Sequence, residues 1–442
     1  MIRSEKKLPK VLIIGQPFNN NSGGGITQSN LFSSWEKENI AVICTMHMFN
    51  NLNAQICDTY YVLGKEEYKW VFPFNFLQRQ TVSGERKLKP ALSVSSGETA
   101  AKPGMRATIV NRYFYPFLEY AGLMHCISKI ELSESLKQWI TDYNPDIIYA
   151  QASSRETVKF CTLIKNYLNK PMVFHMMDDW PSTISEKGWL KNYWKKKIDR
   201  EFRVLLDNCS LLLSISQNMT DEYKVRYGKN FVTFHNPIDL AFWKTGQKKS
   251  FQLNPEPYVL YAGRIGPGIR DCLETMAKAI EIYNKSAVQS LDFIIQTKEI
   301  PDWAQHYSCV KHKQLVPYKE LPFVFGEADI LFLPYDFSEE SIKFIRYSMP
   351  TKAPEYMISG TPVIVFASSA TAIVKEAETH KWAKLVTEDD AVQLSKAINE
   401  LISNEVERRQ IGKTAIDYAE RNFNSEKVRF DFRESISRVI EN

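Results

Sequence analysis

Short apolar runs recur along the chain, each bounded by glycine, proline or polar residues, with helical spacing between them. The runs "KVLIIG" (10–15), "AVICTM" (41–46), "DIIYAQ" (146–151), "MVFHMM" (172–177), "LLLSIS" (211–216) and "FVTFHN" (231–236) predict strands. Segments such as "SESLKQWITDYN" and "SRETVKFCTLIKNYLNK" carry the helical period between them. A second series begins with "YVLYAG" (258–263) and continues through "DFIIQ" (292–296), "VKHKQL" (310–315), "DILFLP" (329–334), "PVIVF" (362–366) and "AKLVT" (383–387). Such alternation predicts an α/β chain with parallel sheets covered by helices on both faces.

The polar stretch "DLAFWKTGQKKSFQLNPEPY" separates the two series and reads as a linker. The expected organisation is therefore two doubly wound, Rossmann-like domains, residues 1–248 and 249–424, followed by a final helix over 425–442. Residues 65–115 interrupt the first series with Gly, Ser, Pro and charge, the pattern of an insertion or mobile loop. The length of 442 residues suits two domains of about 200 residues each.

Charge and cysteine usage narrow the class. A net charge of +5, from 56 basic and 51 acidic residues, is too mild to argue for nucleic acid, and no RNA-binding signature appears. An anionic partner, a phosphorylated substrate or a bilayer surface, fits equally well. The seven cysteines are scattered without C-x-x-C spacing, which predicts a reduced, cytoplasmic chain with no structural zinc. The opening "MIRSEKKLPKVLIIG" is too short in its apolar part for a signal peptide and reads as a first strand. No run of about 18 apolar residues is present to span a membrane. The basic, aromatic run "KGWLKNYWKKKIDREFR" (187–203) reads either as a solvated helix face or as peripheral attachment to the inner face of an anionic membrane.

Three loops carry candidate chemistry. "NSGGGITQSNLF" follows the first strand and opens a helix; Gln28 stands where a dinucleotide fingerprint needs its third glycine, so that reading fails. Either a flexible turn or a helix N-terminus open to phosphate at Gly24 and Gly25 remains. "YAGRIGPGIRD" is no Walker A motif, because Ile269 follows Gly268, yet Arg264 and Arg270 stand at the carboxyl end of a strand, where guanidinium forks suit a diphosphate. Arg270 as a merely solvated helix residue is the alternative reading. In "YSMPTKAPEYMISGTPVIVF" (347–366), Thr351 predicts an N-cap and Pro354 fits the first turn. Lys352 and Glu355 at that helix mouth form an anion site beside a hydroxyl-binding carboxylate, or Glu355 only complements the helix dipole. In "VFHMMDDW", His175 reads as a strand-end histidine, and Asp178 and Asp179 either serve an acceptor or cap the next segment.

The order of these motifs resembles the glycosyltransferases of the GT-B fold, and within them the retaining nucleotide-sugar enzymes of glycosyltransferase family 4. "SISQNMTDEYKVRYG" with "FHNPID", then "HKQLVPYKELPFVFGEADILFLP" and "ERNFNSEKV", match that pattern in the right order, most strongly from about 205 to 425. The resemblance implies two Rossmann-like domains facing a central cleft, with the C-terminal helix returning to the first. It implies metal-independent hexosyl transfer from a UDP- or GDP-linked sugar to a saccharide or lipid-linked hydroxyl acceptor, as in bacterial surface polysaccharide or glycolipid synthesis, with no cofactor. By the same resemblance Gly24 and Gly25 approach the diphosphate, Arg264 and Arg270 pair with it, and Lys352 with the amides near Ser348 to Thr351 holds the phosphates. Glu355 accepts from the ribose hydroxyls, Val316 meets the base through its main chain, and His175 lies near the transferred sugar. Many members carry a second glutamate eight positions before the first; here that position is Tyr347. Two other readings keep the same nucleotide contacts: a GT-B epimerase or hydrolase, and a non-catalytic sugar-nucleotide-binding protein.

Overall fold

The computed structural model of the chain describes residues 8–20, 22–78, 81–88, 110–266 and 269–441. It divides into two compact units, Met1–Phe234 with Arg429–Asn442, and His235–Val428. The division therefore falls earlier than residue 248. Trp243 shows why: on the short helix Leu240–Lys244 it is buried and stacks on Phe325 at 5.5 Å, while the Lys248 amide donates to the Ser359 carbonyl. The segment read as a linker is packed into the second unit.

The first unit is built on β1 (Val11–Ile14), β2 (Ile40–Thr45), β3 (Thr59–Leu63), β4 (Tyr68–Trp70), β5 (Gly84–Lys87), β6 (Ser128–Ile130), β7 (Ile147–Ala150), β8 (Met172–Met176), β9 (Leu211–Ser214) and β10 (Val232–Thr233). Among the described residues its main sheet has the order β10-β9-β8-β7-β1-β2-β3-β5, parallel throughout except at β3–β5. Strands buried on both faces need unbroken apolar runs, and β1 is buried at every position. The described parts of 65–115 are more ordered than an inserted loop: β5 closes the sheet edge antiparallel to β3, and β4 pairs with β6. Residues 89–109 lie outside the described residues.

The final helix, Ser425–Glu441, explains its own apolar spacing. Phe432 is fully buried in the first unit, edge-on to Phe32 at 5.1 Å and to Phe234 at 5.3 Å, and the Arg429 Nε donates to the Asn30 carbonyl at 2.7 Å. The chain's last residues thus return to the first unit, as the resemblance implied.

The second unit holds β11 (Tyr258–Ala262), β12 (Asp292–Gln296), β13 (Val310–Lys313), β14 (Ile330–Pro334), β15 (Val363–Phe366) and β16 (Lys384–Val386). Its sheet runs β13-β12-β11-β14-β15-β16, all parallel. Leu273, Met276 and Ile280 of helix Ile269–Asn284 pack with Leu394 and Ile398 of helix Ala391–Ser403 into the core on this sheet. Chain order reverses between β11 and β14, and ligands of open α/β sheets bind outside the carboxyl ends of strands at such a reversal.

Candidate active site

At that reversal in the second unit, β11 ends and Gly263 follows with φ +143°, a conformation that side chains rarely adopt. A Cβ on Gly263 would lie 1.7 Å from the Lys352 Nζ, so the ammonium group occupies the space a side chain would need. The same Nζ lies 4.9 Å above the ring of Tyr261, a cation–π contact from the preceding strand. The glycine is thus what lets the lysine of another element reach the end of β11.

Helix Lys352–Ser359 delivers that lysine. Its seat is fixed from three sides: Tyr356 is buried with its hydroxyl donating to the Ala262 carbonyl at 3.5 Å, the Asn236 Nδ2 donates to the Thr351 carbonyl at 3.3 Å, and Gly360 ends the helix at φ +74°. Thr351 stands at the cap position, but its backbone is already helical (φ −59°, ψ −25°) and its side chain makes no capping bond. A capping oxygen needs extended backbone to reach back to the first-turn amides, so the predicted N-cap is not formed.

Glu355 lies one turn on from Lys352. Burial pushes the Glu355 carboxyl up to about 7, against the opposing pull of Lys352. Burial also lowers Lys352 to about 8, with Glu355 opposing and the nearby Arg264 charge lowering it further. Surrounding atoms enclose both groups, yet each keeps a solvent-facing edge. Among the described residues, neither side chain's charged end takes a hydrogen bond or an ion pair. Two desolvated, unpaired charges on one helix turn are costly in isolation and suit a ligand that carries the complementary groups.

Other residues named from the sequence fall around this point or apart from it. Arg264 is exposed directly after Gly263, and its carbonyl accepts from the Tyr261 hydroxyl at 2.5 Å. Val316 is partly buried in the loop after β13, and beside it Tyr318, stacked on Phe242 at 5.2 Å, has its hydroxyl raised by desolvation and then by the Glu355 charge. Ser348 is buried, its amide donating to the Ile345 carbonyl at 2.9 Å, so that amide is occupied. Arg270 opens helix Ile269–Asn284 and pairs with Asp302 at 2.8 Å, both exposed. Solvent screens an exposed pair of this kind, so the arginine is easily released from it.

In the first unit, helix Gly23–Phe32 begins on the glycine loop, capped by Ser22, whose hydroxyl accepts from the Gly25 amide at 3.2 Å. A Cβ on Gly25 would lie 2.3 Å from the Asn19 side chain, which itself accepts from the Ser22 amide and hydroxyl at 2.8 Å each; Gly24 has ordinary room. Gly25 is therefore required by packing, whereas Gly24 leaves its face of the helix end bare.

His175 is the penultimate residue of its strand. It lies within β8, buried, with Nδ1 2.6 Å from the Tyr149 hydroxyl. Its Nε2 has no hydrogen-bond partner, and burial lowers its pKa to about 3 against the opposing pull of the Phe234 and Ser214 backbones. It is a neutral core histidine whose ring is turned to the interior. Asp179 is likewise committed: it is buried, takes Arg226 Nη1 at 2.7 Å and Nη2 at 3.1 Å, and accepts from the Tyr223 hydroxyl at 2.8 Å and the Ser182 hydroxyl at 2.5 Å. Asp178 is partly exposed after β8.

Sequence reasoning did not assign Gly263, Tyr261, Asn236 or Tyr356, which together seat Lys352. Asn236 was legible only as part of "FHNPID", and the Gly263–Lys352 contact had no signal in the spacing of either motif.

Comparison with known proteins bears on the family likeness and the fold. Residues 256–404 match the family model described as glycosyl transferases group 1. Across the whole chain, a sucrose-phosphate synthase from Thermosynechococcus elongatus superposes with a TM-score of 0.60 at 13% identity, covering 98% of this chain and 99% of that one. The fold is GT-B. A glycosyltransferase from Rickettsia africae has a TM-score of 0.59 at 11% identity over 98% of this chain and 99% of its own. Anabaena HepE, solved in complex with UDP, has 0.57 at 14% identity over 97% and 99%. None of the curated proteins matches the sequence. The group 1 match within this GT-B chain spans Gly263, Arg264, Val316, Lys352 and Glu355.

Gly263→Ala tests the seat of Lys352 without touching the lysine. Strain at that φ together with the overlap on Nζ is expected to weaken nucleoside diphosphate binding roughly tenfold or more, measured by calorimetric titration, with Lys352 still present.

Proposed function

We propose that this chain is a retaining glycosyltransferase of family 4, moving a hexosyl group from a UDP- or GDP-linked sugar to a saccharide or lipid-linked hydroxyl acceptor in surface polysaccharide or glycolipid synthesis. The observation that carries the donor site is the Lys352 ammonium held against Gly263, with the unpaired Glu355 one turn away and Arg264 beside them. Lys352 and Arg264 face the diphosphate, Glu355 accepts from the ribose hydroxyls, and the main chain at Val316 borders the base. Arg270 joins the diphosphate only by leaving Asp302.

In this reading the bond between the sugar C1 and the diphosphate oxygen breaks, and the acceptor oxygen bonds C1 on the same face. The acceptor proton passes to the leaving diphosphate. Arg264 and Lys352 stabilise the negative charge that develops there, so catalysis asks of this chain chiefly a preorganised positive site. His175 is given no contact with the sugar, because its ring is buried, and the buried, ion-paired Asp179 is given none with an acceptor. Retention rests on the likeness to family 4. It is tested by the anomeric configuration of the product, read by NMR after incubation with UDP- and GDP-sugars: retention is expected, and inversion overturns it.

One observation favours a second reading. Tyr347 stands where the family's additional glutamate is expected, so a protein that binds the sugar nucleotide without transferring the sugar retains every nucleotide contact. Donor binding without donor consumption in the presence of acceptor extracts would select that reading.

The two enclosed charges set a pH dependence. Glu355 must be ionised to accept from ribose and Lys352 protonated to hold phosphate. Affinity for a nucleoside diphosphate is therefore expected to rise as pH climbs through about 7 and to fall beyond about 8. Calorimetry across this range should show Glu355→Gln, which keeps Lys352, losing the lower limb.

A further inference from the structure

The first unit carries an aromatic surface that the nucleotide site does not use. Trp189 is 79% exposed, Phe72 79%, Phe76 73%, Tyr113 64% and Phe117 62%. These side chains come from three separate segments that the fold joins. Phe74 packs on Phe114 at 5.8 Å, linking the segment around Phe72 to the helix Tyr115–Tyr120. At the other end of that helix, Tyr120 packs on Trp189 at 5.6 Å, its hydroxyl accepts from the Trp189 Nε1 at 3.2 Å, and its carbonyl accepts from the Trp189 amide at 3.1 Å. Trp189 is thus held outward by its backbone and indole nitrogen rather than left loose. Trp194, by contrast, is buried and donates to the Gly122 carbonyl at 2.7 Å, which anchors the start of helix Lys191–Asp207 beneath this surface.

The charge beside these rings is of one sign. Residues 187–203 hold seven basic and two acidic side chains, a net +5 that equals the net charge of the whole chain. Both acids are taken: Asp199 pairs with Arg203, and Glu201 takes the Arg155 guanidinium with both oxygens. Lys187, Lys191, Lys196 and Arg200 are exposed, and among the described residues none of them forms an ion pair.

We propose that this surface docks the first unit on an anionic lipid bilayer, the rings entering the headgroup boundary and the four free cations meeting lipid phosphates. Large exposed apolar groups beside unpaired cations fit that interface, where amphipathic rings are stabilised and each basic residue adds attraction to anionic headgroups. An apolar protein partner or a second copy of this chain would cover the rings but leave the cations unmatched. No helix among the described residues is long and apolar enough to cross a membrane. The inference is independent of the nucleotide site, which lies in the second unit.

Flotation of the full chain with phosphatidylcholine vesicles, with and without phosphatidylglycerol, tests it. The wild-type protein is expected to float with the anionic vesicles, to remain behind with the neutral ones, and to dissociate as salt is raised. Lys191→Gln with Lys196→Gln should weaken partitioning about thirtyfold. Trp189→Ser should weaken it roughly tenfold. All variants should retain wild-type binding of UDP or GDP. Equal partitioning to neutral vesicles, or lysine variants that bind as tightly as wild type, would overturn the proposal. So would a dimer in sedimentation velocity that Trp189→Ser abolishes, which would assign the rings to a second copy. Should Trp189→Ser melt early, the exposed lysine pair and the lipid comparison still decide.

Discussion

Lys352→Ala is expected to lower sugar transfer about 10²–10³-fold, the usual effect of removing one preorganised donor to developing negative charge. The prediction follows from where the ammonium group sits. It is enclosed at the end of β11, over the Tyr261 ring and against Gly263, and no carboxylate among the described residues pairs with it. Its charge, where protonated, is therefore available to a ligand. Lys352→Arg should not restore activity, because a guanidinium does not fit the space beside Gly263 that the slim ammonium fills. Steady-state kinetics on the two variants, with melting curves to show that both fold, provide the check. Arg264→Ala should fall in the same way by about a hundredfold.

Asp179→Ala is expected to destabilise the first unit by about 3 kcal/mol, near the lower end for breaking a buried ion pair, since Arg226 keeps some access to solvent. For a unit of this size that corresponds to a fall of roughly 6–12 °C in melting temperature. Asp179 receives bonds from Arg226, Tyr223 and Ser182, so its removal strands a guanidinium and a buried phenol together. Asp179→Asn, which keeps the shape but not the charge, should lose less. If acceptor contact were the role of Asp179, both variants would instead keep the wild-type melting temperature and lose only transfer.

The core strands were legible because a parallel strand covered on both faces must be apolar at nearly every position, and "VLII" or "VIVF" has few other uses. The strand Thr59–Leu63 escaped notice: "TYYVL" has the β-branched and aromatic content of a strand, but it sits just before the polar stretch that masks the sheet edge. Lys352 and Glu355 were legible as a pair because a spacing of three on a helix places them on one face. The partners that decide other residues were not. Asp179 meets Arg226 and His175 meets Tyr149 only through the winding of the sheet, and nothing local in "VFHMMDDW" separates a committed aspartate from a free one. The same limit applies to Thr351, where residue type predicted a cap and the backbone turned helical one residue too early to form it.

Donor recognition by this chain requires a nucleotide bound at Lys352 and Glu355. Calorimetric titration of UDP and of GDP into the wild-type chain, Lys352→Ala and Glu355→Ala tests it most directly. One of the two nucleotides should bind the wild-type protein, at least tenfold more weakly to Glu355→Ala, and undetectably to Lys352→Ala. Equal affinity of all three proteins, or no binding of either nucleotide to the wild type, would contradict it.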